Sequence, residues 1–135
     1  MKTPGITYLI TRIAVCIAFA TVLVEAAPLS DADKQFLAGY EKIRSALAAD
    51  DLDAAKKAAG DLGDEGAQLA KSSSLKEARA TFEKLSDKAK QLAAGQSGYY
   101  VVHCPMLNKD WVQTSEKIAN PYYGKEMATC GEIKK

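Results

Sequence analysis

The side chains best suited to chemistry lie close together. Beyond residue 26 the chain holds two cysteines, two methionines, one histidine and one tryptophan, and all follow Gly98. They fall in short runs: His103-Cys104-Pro105-Met106, then Trp111, then Asn120-Pro121-Tyr122-Tyr123-Gly124, then Met127-Ala128-Thr129-Cys130-Gly131. Thiolate and thioether are soft donors suited to Cu(I), and imidazole is acceptable to copper, zinc and nickel. Pro105 stiffens the Cys-Pro-Met turn through its fixed φ. Met127 and Cys130 are three apart, so one helical turn places them on one face. Joining the two runs makes a cluster of Cys104, Met106, Met127 and Cys130 with His103 at its edge. A Cys104–Cys130 disulfide that clips the tail, with both methionines packing, explains the same residues. Residue chemistry leaves the two readings equally open.

Other chemistries fail on ligand counts. A blue-copper centre needs two histidines and the chain has one; structural zinc of the four-cysteine or two-cysteine–two-histidine kind is also short of ligands. No C-x-x-C-H is present for covalent haem, and no C-x-x-C for thioredoxin-like exchange. Neighbours in an extended run point to opposite faces, so His103 and Cys104 make a poor nucleophilic pair. There is no nucleophile elbow and no phosphate-cradling glycine loop, so neither a catalytic residue nor a bound nucleotide is expected. With 18 Lys+Arg against 17 Asp+Glu, the chain lacks the basic excess that grips nucleic acid.

Positioning these residues falls to a helical scaffold over residues 30–94, rich in Ala, Leu, Lys, Glu and Asp and free of proline. Ser30 or Asp31 caps a first helix whose apolar residues Phe36, Tyr40, Ile43 and Leu47 share a face. Asp50-Asp51 offers a turn and a new N-cap. Leu52, Ala55, Ala59, Leu62 and Leu69 mark a second helix, with Gly60, Gly63 and Gly66 each costing about 1 kcal/mol if interior; a break near Gly63 follows. Ser74 and Glu77 form a capping-box pattern ahead of Leu75, Ala78, Phe82, Leu85, Ala89 and Leu92. The expected fold is all-α: an antiparallel bundle of three to four helices. Residues 95–135 would be a short β-prone, loop-rich motif region packed on it as part of one domain. Tyr99-Tyr100-Val101-Val102 is its β-prone run.

Residues 1–26 read as a secretory signal peptide. Lys2 and Arg12 supply the positive end, Ile13 to Val24 runs uncharged, and Ala26 offers the cleavage position. The apolar run is short for a membrane span, so no stable span is expected after cleavage, and the periplasm is the expected location. Cys16 lies inside this run without a lipobox. An uncleaved anchor is the alternative.

Taken together, the run Val102 to Met106, Trp111, Asn120 to Gly124, Met127 and Cys130-Gly131 resembles the signature of the bacterial domain of unknown function 3347. Weaker likeness extends upstream to Ala46–Leu52, Ala54–Lys56, Ala78-Arg79, Phe82 and Leu85-Ser86. The resemblance implies an exported, largely helical protein of the kind fused to, or encoded near, heavy-metal efflux components, above all for copper. Carried over by position, Cys104 and Cys130 become thiolate ligands, Met106 and Met127 thioether ligands, and His103 a further donor to Cu(I). Trp111, Tyr122 and Tyr123 would shield the site, with Asn120, Pro121 and Gly124 shaping the loop. The implied partners are efflux components or another periplasmic copper protein. The competing expectation is a non-catalytic interaction module closed by the Cys104–Cys130 disulfide.

Overall fold

Helical sequence patterns and β-branched runs both find their place in the molecule. The computed structural model describes residues 26–134; apart from Ala26, the expected signal peptide and Cys16 lie outside the described residues. Helix α1 (Asp31–Ala48) begins where Ser30 Oγ accepts the Asp33 amide, and α2 (Leu52–Gly60) where Asp51 accepts from Ala54. Each cap satisfies one of the orphan amides at a helix start. The glycine-rich stretch then breaks the helix into a 3-10 turn (Gly63–Glu65) and a short α3 (Ala67–Ala70). Gly63 turns with φ +62°, a conformation in which Cβ is unfavourable. Helix α4 (Leu75–Ala93) is the longest element among the described residues, and its face of Ala78, Phe82, Leu85 and Ala89 is buried.

The expectation of an all-α bundle is corrected by the C-terminal third. Strands β1 (Tyr100–Cys104), β2 (Lys109–Gln113) and β3 (Glu132–Ile133) form an antiparallel sheet in the order β2-β1-β3. The molecule is therefore a mixed α/β fold with helices and a small sheet sharing one core. Its physical basis is local. Val101 and Val102 favour the pleated backbone, and Asn108 takes a left-handed φ of 50° that lets the chain turn back after Cys104. Pairing of Val102 with Trp111 then places two large apolar side chains on the inner face. β2 packs on α4, and the two parts are stitched by Tyr40, whose hydroxyl accepts the Val112 amide at 3.1 Å. Tyr40 and Phe82 stack at 4.8 Å between ring centres.

Candidate functional site

Strand alternation decides which chemistry-bearing side chains meet. Val102 and Cys104 are fully buried on the inner face of β1, and His103 lies on the other face. Cys104 is joined to Cys130 by a disulfide spanning 26 positions, with Cα atoms 5.6 Å apart. Cys130 is held from both sides: its amide donates to the Met127 carbonyl at 3.0 Å, and its carbonyl accepts from Asn120 Nδ2 at 3.0 Å. Among the described residues no three His, Cys, Asp or Glu side chains are gathered as a metal group.

Asn120 organises the loop. It is completely buried, donates its backbone amide to Ala128, and uses Oδ1 to accept the Tyr122 amide at 2.9 Å. Buried polar groups need such partners, and here they tie residues 120–130 into one knot. The Pro121 carbonyl accepts from Arg79 Nε at 2.9 Å; Arg79 also bonds Leu47 O and the Asp50 carboxylate. Asp50 accepts the Lys125 amide as well, and the Arg79 and Lys125 bonds hold its carboxyl below the usual range. Gly124 fits against this lock with φ +56°; a Cβ there would strike Asp50 Oδ1.

The remaining predicted residues have separate places. Met127 is half-buried against the core at the end of a 3-10 turn (Gly124–Met127). Met106 stands at the tip of the β1–β2 hairpin, 77% exposed. His103 Nδ1 is 2.7 Å from Asp110 Oδ1, its cross-strand neighbour, so it is engaged away from the cysteine pair. Burial works to raise the Asp110 pKa, but bonds from Lys134 and His103 outweigh it and hold the carboxyl below its ordinary value. Trp111 is buried, donating Nε1–H to Gln113 Oε1 at 2.9 Å and meeting Tyr122 edge-on. Its ring also closes over Gly131, where an added Cβ would lie 2.7 Å away. Tyr122 Oη hydrogen-bonds with Ser86 Oγ and with the Asp110 carbonyl, both at 3.0 Å, and burial drives its hydroxyl pKa upward.

Gln113 and Asp110 carry no site signal in the sequence, and Ser86 enters there only through the Leu85-Ser86 likeness. Ser86 follows Phe82 by four and precedes Ala89 by three, so the α4 period itself puts its hydroxyl on the buried face. The partners of Gln113 and Asp110 depend on strand register, which has no comparable local signal.

A cleft of about 680 Å³ opens beside the motif region, between the first turns of α4, the hairpin tip and the Gly124–Met127 turn. Leu75, Leu107, Tyr122 and Tyr123 give it apolar surface.

Fold and site together define a small α/β domain whose C-terminal motifs are locked by a disulfide and a buried asparagine. No family model matches the chain, and no curated protein or solved structure matches it.

Proposed function

We propose that the protein is an exported, non-catalytic copper-handling protein, as the resemblance of its signature implies, centred on the Cys104–Cys130 pair. The observation that carries this reading is the meeting of two cysteines far apart in sequence, with Met127 one turn before the second. When reduced, Cys104 and Cys130 supply thiolates and Met127 a thioether, with exposed Met106 joining them by movement of the hairpin tip; such a soft set suits Cu(I). His103 falls outside it, because it faces away and Asp110 engages its ring. Opening the disulfide takes two electrons and two protons, which a dithiol reductant of the envelope would supply. The oxidised pair is then the metal-free form, and oxidation releases copper. Efflux components or a second periplasmic copper protein are the proposed recipients.

The formed disulfide with its fully buried Cys104 favours a second reading, an exported interaction module whose cysteines are purely structural. Anaerobic Cu(I) titration of the reduced protein against a competing chelator separates the two, with thiols counted on protein taken from the periplasm. Stoichiometric binding that protects both thiols supports copper handling. No binding, with both cysteines already oxidised in the cell, leaves the structural clip. Replacing Met106 and Met127 together should weaken copper binding and keep the fold; unchanged affinity removes the thioethers from the set.

A further inference from the structure

We infer that the cleft beside α4 is a self-association site, in which a second copy of this chain inserts its hairpin tip. A protrusion and a recess lie side by side. Met106 is 77% exposed, and the next residue, Leu107, already lines the cleft. Tyr123, 42% exposed, adds a ring to the same surface. A two-fold axis beside the tip seats each Met106 against the apolar wall of the other copy, a closed isologous arrangement. The flexible thioether of Met adapts well to such a surface.

The charges at the cleft select the same occupant. Four of its charged side chains are already paired within the chain: Arg79 with Asp50 at 2.5 Å, and Lys109 with Glu83 at 2.6 Å. Lys76 and Glu126 also line the cleft, are exposed, and have no ion-pair partner among the described residues. One unpaired cation and one unpaired anion on a single face are self-complementary: under the two-fold, Lys76 of each copy meets Glu126 of the other. The net charge of +1 leaves little long-range repulsion between copies. A partner of one dominant charge has no such match here.

The test is sedimentation equilibrium of the disulfide-bonded protein from about 1 μM to 1 mM, the range of modest affinities. The wild-type mass should rise toward that of a dimer, and Met106→Asp should stay monomeric with an unchanged helical circular dichroism signal. K76E should raise the dimer dissociation constant about tenfold or more, because symmetry makes each rim contact twice. E126K should do the same, and the K76E/E126K double variant should restore the wild-type value. A wild type that stays monomeric across the range overturns the proposal, whatever else the cleft binds. Association that is indifferent to Met106 and to the charge swap overturns it too, since copies then meet through another surface.

Discussion

Reducing the Cys104–Cys130 bond gives a direct measure of how much the tail clip stabilises the fold. The bond closes a loop across 26 positions, and in the chain-entropy account that constraint on the unfolded chain is worth about 3.5 kcal/mol. Native packing should change little, because a buried thiol at Cys104 behaves as a small hydrophobe. The assay is urea unfolding at neutral pH, followed by helical circular dichroism, with and without a phosphine reductant. At a slope of about 1–3 kcal/mol per M, the midpoint should fall by about 1.2–3.5 M on reduction. The slope itself should rise, since the reduced unfolded chain opens further and exposes more surface. A midpoint shift below about 0.3 M, with the slope unchanged, would refute the reasoning: the 100–134 segment would then be held by its other bonds, with the disulfide incidental.

Three more outcomes follow from the bonds of the C-terminal region. Gly124→Ala should destabilise the fold by at least about 1–2 kcal/mol, the cost of a left-handed Ala, and by more from the collision with Asp50; an unchanged urea midpoint would show that the loop moves aside. Tyr122→Phe removes the hydroxyl that bonds Ser86 and the Asp110 carbonyl and should cost about 1–3 kcal/mol in the same assay. Asp110 has its folded pKa held down, so its contribution is present above the unfolded carboxylate value of about 3.9 and is lost as pH falls through the lower, folded value. Asp110→Asn should therefore be less stable than wild type at pH 7 and converge with it in strong acid; a gap constant with pH would exclude the ion-pair account.

Helical parts of the fold were legible because their signals are local. Phe36, Tyr40, Ile43 and Leu47 repeat at helical spacing and are all buried, and Ser30, Asp51 and Ser74 each accept the amide three residues on. The Ser74–Glu77 capping box is only half as expected. Glu77 donates its amide to Ser74 Oγ, but its carboxylate reaches past Ser74 to the amide and hydroxyl of Ser73. The sheet was hidden for a physical reason. β2 buries Trp111, Val112 and Gln113 in succession, so it lacks the alternation of a half-buried strand, and β3 is two residues long. The register of β2 on β1 follows from the short Pro105–Asn108 turn, whereas β3 returns across a long loop that no short window of sequence contains. At the candidate site, the residue types pointed to Cys104 and Cys130 as either a disulfide or a metal pair. Strand alternation separated His103 from them, and the Pro105–Asn108 turn carried Met106 into solvent.

The seat of Trp111 makes the molecule its own optical probe. It is the one tryptophan in the sequence, and it touches all three parts of the C-terminal region: Gln113 in the hairpin, Tyr122 in the loop and Gly131 beside the second cysteine. Far-ultraviolet dichroism is dominated by α1 and α4, whereas indole emission reports the packing around Trp111, the closure of the tail over its ring included. Two signals that melt together would mark one cooperative unit. An emission change that precedes helix loss would mean that residues 100–134 open as a separate foldon, a latch that releases while the helices stand.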